Sequence, residues 1–116
     1  MKTRELEGAA LDWAVAKVDG RGEVIQAAIA RFGGGHGMFP GYYIDWRMGG
    51  PLIEAHHIEL HTNTGDQHDE HERWYAVCPT EGGGRGAMGP TPLVAAMRAL
   101  VFAQLGDEID LPDELQ

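Results

Sequence analysis

The spacing of apolar residues predicts a helix near each end of the chain. Between about residues 3 and 19, apolar positions recur every three or four residues, as on the buried face of an amphipathic helix. The same spacing returns over residues 92–105, where Thr91 is placed to cap the helix and Gly106 to end it. The expected buried stripe of this last helix consists of Leu93, Ala96, Met97, Leu100, Val101 and Gln104.

The segments between these helices have a less uniform pattern. Residues 23–32 are mainly apolar and fit a short helix or a strand, with their alanines favouring the helix. Aromatic and β-branched residues predict strands at 42–46, 52–60 and 72–78. Ile109 and Leu111 could add a short edge strand.

Glycine-rich and polar stretches separate these elements. We expect a glycine-rich loop at 33–41, a histidine-rich loop at 61–72 and an acidic C-terminal tail at 107–116. At 116 residues, the chain has room for one ordinary core. The sequence therefore predicts a single α+β domain over residues 1–116, in which a small antiparallel β-sheet packs with an N-terminal and a C-terminal α-helix.

Charge and composition narrow the classes of partner. The net charge is −9 and the basic residues are scattered, so we expect no binding of nucleic acid. No apolar run is long enough to cross a membrane, and we expect no membrane association. Cys78 is the single cysteine, which excludes an internal disulfide and indicates a reducing compartment.

A glycine-rich segment with one arginine precedes the last helix. Residues 82–86 contain Arg85 between glycines, and the chain then leads to Thr91 at the predicted helix N-terminus. Backbone N–H groups, the helix dipole and a guanidinium together suit a phosphate or carboxylate. Arg98 is the alternative arginine, although it lies about two turns into the helix. The competing interpretation is a flexible loop that ends in a capped helix.

Aromatic and polar residues before a glycine turn form a second candidate region. Tyr43 and Trp46 could stack on a planar base, and Asp45 could accept hydrogen bonds from it. Gly49 and Gly50 would let a ligand approach the backbone closely. The alternative is that Trp46 belongs to the core and Asp45 caps a turn.

Six histidines raise the question of a metal site. His57 and His61 are four residues apart, and His68 and His71 are three apart with two carboxylates between them. Such spacing suits metal ligation on a helix, but the surrounding sequence is polar and carries no zinc-hydrolase motif. We expect no tightly bound metal and no cofactor.

Three blocks of sequence carry a family resemblance. They are residues 6–16, beginning Leu-Glu-Gly-Ala-Ala-Leu-Asp-Trp, residues 45–54, and Trp74 and Ala76 followed by residues 89–98. In this order they resemble the NinX-like family of small phage proteins of unknown function. The glycine-rich stretch around His36 and residues 56–71 look like insertions. The resemblance implies a phage or prophage origin and expression in the cytoplasm of the bacterial host, and it supplies no catalytic residues.

These observations leave three hypotheses for function. The first is a non-catalytic protein that sequesters a small nucleotide-like anion, a host defence signal; the link is by analogy with other small phage proteins. The second is a metal-dependent hydrolase of such a nucleotide. The third is an acidic protein that binds and inhibits a host enzyme. Because the chain is short and rich in apolar strands and helix faces, we also expect a homo-oligomer, a dimer or higher, with the ligand near a subunit boundary.

Overall fold

The computed structural model describes residues 1–32, 41–63 and 69–115 of the chain. Within these ranges the helices and strands are α1 Gly8–Val18, α2 Gly22–Phe32, α3 Trp46–Ala55, β1 Glu59–Thr62, β2 Trp74–Thr80, β3 Gly83–Gly89 and α4 Pro92–Leu105. Short 3-10 helices occur at Thr3–Glu5, Glu70–Glu72 and Asp113–Leu115. Of the predicted loop at 33–41, residues 33–40 lie outside the described residues. Of the predicted loop at 61–72, residues 64–68 lie outside them, and the described part includes the end of β1 and the 3-10 helix Glu70–Glu72.

The three strands form one antiparallel sheet in the order β1-β2-β3. Helix α4 packs along β2 and β3 and covers one face of the sheet. Side chains of Ala76, Cys78 and Ala87 on that face are buried. This architecture confirms the predicted α+β class.

Both ends of α4 are set by the predicted residues. The Thr91 hydroxyl accepts a hydrogen bond from the Val94 N–H at 3.1 Å, and Gly106 ends the helix with a φ of 90°. The predicted stripe is buried except at Gln104, which is exposed. Gln104 lies in the last turn, where neighbouring side chains are only half-buried, so its amide stays in water.

The predicted first helix is divided into two parts. A 3-10 helix at Thr3–Glu5 precedes α1, and Gly8 at the junction has a φ of 58°. Buried Thr3 donates its hydroxyl to the carbonyl groups of Gly106, at 2.8 Å, and Asp107, at 3.2 Å. These bonds attach the N-terminal segment to the end of α4, and the edge strand expected nearby is reduced to one bridge between Lys2 and Glu108.

The predicted strands at 42–46 and 52–60 are wrong. Residues 42–44 form a turn, and α3 begins at Trp46 with Asp45 as its N-cap, which accepts from the Arg47 N–H at 2.9 Å. The helix continues through Pro51, and only β1 at the end of this region is a strand. The local β-propensity of the aromatic residues is therefore outweighed by a helix cap and by packing.

The glycine-rich segment around Arg85 is also a strand rather than the predicted loop. A Cβ on Gly84 would lie 2.6 Å from Val77 Cγ1, and one on Gly86 would lie 2.6 Å from Tyr75 Cζ. Side chains of β2 thus lie directly over these glycines of β3. The absence of a Cβ at both positions is what allows this close cover.

Candidate functional site

The predicted aromatic region lies at the start of α3. Trp46 is 53% exposed and Ile44 is 71% exposed, so Trp46 does not belong to the core. Tyr43 is half-buried against the core. Gly50 lies beneath the indole ring, because a Cβ there would stand 3.9 Å from Trp46 Cε3.

Asp45 is engaged within its own helix. Besides capping α3, its carboxylate accepts from Arg47 Nε at 3.2 Å and from an Arg47 terminal nitrogen at 3.0 Å. These bonds from the Arg47 side chain and backbone hold the pKa of Asp45 below its usual value. The predicted polar anchor is therefore already paired with a neighbouring cation.

Gly49 connects this region to the start of α4. A Cβ on Gly49 would overlap the Tyr42 carbonyl oxygen and lie 2.7 Å from Leu93 Cδ2. The structure therefore brings α3 against the first turn of α4, next to Thr91. The Thr91 hydroxyl is used as the helix cap.

Arg85 lies at the opposite end of α4 from Thr91. Its guanidinium carbon is 5.9 Å from the centre of the Phe102 ring, and that of Arg4 is 4.8 Å from the same ring. Phe102 is ten residues beyond Pro92, or about 15 Å along the helix. The expected joint contact of Arg85 and the helix N-terminus with one anion is therefore wrong. The cause is the extended conformation of β3, which carries Arg85 away from Thr91.

Arg98 is a half-buried cation between the N-terminal segment and β3. It donates from Nε to the Leu6 carbonyl at 2.7 Å and from Nη1 to the Met88 carbonyl at 2.9 Å. Burial lowers its pKa, and the charges of Glu7 and Glu5 partly oppose this shift. No carboxylate of the described residues lies within salt-bridge distance of it. A guanidinium has five N–H donors, so Arg98 keeps donors for an additional acceptor.

Arg85 and Arg98 both line a groove of about 800 Å³. Its walls come from the N-terminal segment, the Glu70–Glu72 turn, β2, β3 and the second half of α4; α3 contributes none of them. The lining residues are Lys2, Arg4, Glu5, Glu7, His71, Glu72, Tyr75, Gly84, Arg85, Gly86, Ala87, Met88, Arg98 and Phe102. The groove therefore combines cations, carboxylates and two aromatic rings.

The edge of β3 adds backbone donors to this groove. Asn63 N–H donates to the Arg73 carbonyl, so these two residues form a hydrogen-bonded pair. Hydrogen-bonded and non-hydrogen-bonded pairs alternate along antiparallel strands. Followed through the register to β3, this alternation points the N–H groups of Gly84, Gly86 and Met88 away from β2. No described backbone group accepts a hydrogen bond from them. These donors lie in the groove wall, where two of the three residues have no side chain.

The sequence analysis missed two of the residues that surround the arginines. Arg4 and Phe102 are far apart along the chain, and contacts such as the bonds of Thr3 to the end of α4 bring them together. Phe102 could have been recognised as a neighbour of Arg98, because residues four apart share a helix face.

The remaining candidate chemistry finds little support among the described residues. They contain no group of three or more potential metal ligands, and His68 lies outside them. Cys78 is buried, and burial raises the pKa of its thiol. None of the helices in the described ranges has the length and apolar character needed to span a membrane.

Comparison with known proteins identifies the family. The family model described as bacteriophage P22 NinX matches residues 2–104. No curated protein gives a significant match. The matched range includes α1 to α3, all three strands, α4 except its last residue and the whole lining of the groove. The chain therefore belongs to the phage P22 NinX family.

Proposed function

We propose that this phage protein binds a small nucleotide-like anion in the groove between the N-terminal segment and β3. In this proposal it sequesters a host defence signal in the bacterial cytoplasm without converting it. The observation that carries the proposal is Arg98, a half-buried cation that faces the groove and bonds only to two carbonyl oxygens. A buried cation gains most from an anion that completes its hydrogen bonds.

The rest of the groove suits a nucleotide better than a plain anion. The guanidinium of Arg85 and the free N–H groups of β3 can hold phosphate oxygens. The ring of Tyr75 offers a surface for stacking a base. The carboxylates of Glu5 and Glu7 repel a plain anion but can accept hydrogen bonds from a sugar hydroxyl or an exocyclic amine.

Binding without conversion is the simpler account of this lining. The contacts of the groove are those of a holding site, with cations, backbone donors and rings. Trp46 and Tyr43 would contact the ligand only if α3 of another protomer closed over the groove, since α3 of the same protomer does not line it.

The test is calorimetric titration of the purified protein with cyclic dinucleotides, cyclic ADP-ribose isomers, AMP and inorganic phosphate. Replacing Arg85 with alanine should weaken the binding of cyclic dinucleotides by roughly ten- to a hundredfold, since it removes a charge-assisted contact worth about 1.5–3 kcal/mol. Arg21→Ala is the matched control, because it removes an exposed arginine outside the groove.

Two further readouts complete this experiment. Bound nucleotide released by denaturation should be chemically unchanged by mass spectrometry; a cleaved product would instead support the hydrolase hypothesis. If none of the nucleotides binds at micromolar concentration, the proposed function is refuted. If Arg85→Ala binds cyclic dinucleotides as tightly as Arg21→Ala does, the assignment of Arg85 to the binding site is wrong.

A further inference from the structure

We propose that the groove is built for a ligand with two separated anionic groups, such as the two phosphates of a cyclic dinucleotide. This inference rests on the proposed function and specifies the class of ligand. Two cationic anchors support it. Arg98 forms a deep anchor, and Arg85 with Arg4 forms a shallow anchor around Phe102.

The two anchors are held apart by the edge of β3. Arg98 Nη1 lies 2.9 Å from the Met88 carbonyl, and Arg85 Nη1 lies 3.2 Å from the Gly84 carbonyl. These two carbonyls are four residues apart on one strand, a separation of about 13 Å. The guanidinium groups are thus on the order of 10 Å apart. A single phosphate is too small to bridge a gap of this size, whereas two linked phosphates can reach both anchors.

The wall between the anchors consists of a strand edge and an aromatic ring. Gly86 stands midway between Gly84 and Met88, and the space that a side chain would take there is filled by Tyr75. Its N–H points into the groove, and Tyr75 lies beside it. A ligand that bridges the anchors would meet backbone donors and an aromatic ring along its length.

The charges in the groove favour occupation of both anchors. Arg4 is shared with Asp107 at 3.5 Å, and both side chains are largely exposed. Glu5, Glu7 and Glu72 add negative charge to the lining. These carboxylates repel each phosphate of a ligand, so a ligand with two phosphates gains affinity only where each phosphate has an anchor of its own.

The test compares three probes by calorimetry on the full chain: cyclic di-AMP, ADP and AMP. We expect the wild type to bind both cyclic di-AMP and ADP at least about 30-fold more tightly than AMP. Arg85→Ala should lose at least about tenfold in affinity for cyclic di-AMP while its affinity for AMP, held at Arg98, changes less than about twofold. Its melting temperature should match that of wild type, because the Arg85 side chain is exposed.

The outcomes separate this inference from the proposed function. Equal affinity for cyclic di-AMP and AMP overturns the two-anchor proposal, and so does equal affinity for ADP and AMP. A uniform loss of affinity for all three probes in Arg85→Ala also overturns it. In each of these cases nucleotide binding itself stands. Absence of binding by every probe refutes the proposed function and the inference with it.

Discussion

Replacing Gly49 with alanine should destabilise the fold, whereas the same replacement at Gly50 should not. A Cβ at Gly49 would overlap the carbonyl oxygen of Tyr42 and lie 2.7 Å from Leu93 Cδ2. At Gly50 the nearest atom would be Trp46 Cε3 at 3.9 Å, an ordinary contact. The two glycines are adjacent in the same helix, so each variant is a control for the other.

The neighbours of Gly49 have little freedom to move. Tyr42 is 1% exposed, and its hydroxyl donates to Asp19 at 3.1 Å. The preceding Gly41 N–H donates to buried Asp12 at 2.8 Å. Overpacking at such a site costs about 1–3 kcal/mol, while the change from glycine to alanine in a helix returns up to about 1 kcal/mol. We therefore expect a net loss of about 1–2 kcal/mol for Gly49→Ala and a gain of up to about 1 kcal/mol for Gly50→Ala.

Urea and thermal unfolding monitored by circular dichroism would measure this difference. For a domain of this size, 1 kcal/mol corresponds to roughly 5 °C in melting temperature. The Gly49→Ala variant should therefore melt about 5–10 °C below wild type, and Gly50→Ala at or slightly above it. A Gly49→Ala protein that melts at or above wild type would refute the reasoning. That result would leave the prediction that Gly49 lies at the ligand site as the remaining explanation for this glycine.

Three other changes test separate parts of the structure. Burial raises the pKa of Asp12 in the folded state above the usual 3.8, so the folded protein holds this proton more tightly than the unfolded chain does. The free energy of unfolding should therefore fall as pH rises above 3.8. Asp12→Asn should remove this decline. If the urea midpoints of Asp12→Asn and wild type differ by the same amount at pH 4 and at pH 7, the prediction is contradicted. Thr91→Ala should cost about 1 kcal/mol by removing the cap on the Val94 N–H, with Thr91→Ser retaining most of it; equal urea midpoints for all three proteins would show that the cap contributes nothing. Light scattering at micromolar concentration should give a mass well above 12.6 kDa, reduced by Trp46→Glu at the exposed apolar surface formed with Ile44; a wild-type mass near 12.6 kDa would end the oligomer prediction.

Local signals predicted the parts of the fold that local bonds create. The cap at Thr91 and the stop at Gly106 use contacts within a few residues, so the limits of α4 could be identified from sequence. Region 42–55 was misread because its conformation depends on distant contacts. Asp12 holds the turn before α3, and the close fit of Gly49 on Tyr42 cannot be inferred from the order of residues.

The candidate site shows the same division. Arg85 and Arg98 were identifiable as cations, but their relation to each other depends on β3 being a strand. Glycine has a low β-propensity, so a run of glycines is typical of a loop. Here the glycines are required because Tyr75 and Val77 of the adjacent strand cover them, and that pairing is visible only in the sheet.

The attachment of the N-terminal segment to the end of α4 constrains the order in which parts of the protein fold during synthesis. The bond from the Thr3 hydroxyl to the Gly106 carbonyl joins residues 103 positions apart. At about 5–20 residues per second, a ribosome needs roughly 5–20 s to synthesise the intervening chain. During that time Leu6, which is fully buried in the fold, lacks Arg98 of α4 as the hydrogen-bond donor to its carbonyl. The groove is therefore completed late, after β2, β3 and α4 have left the ribosome. A nascent chain stalled before α4 would present no binding site.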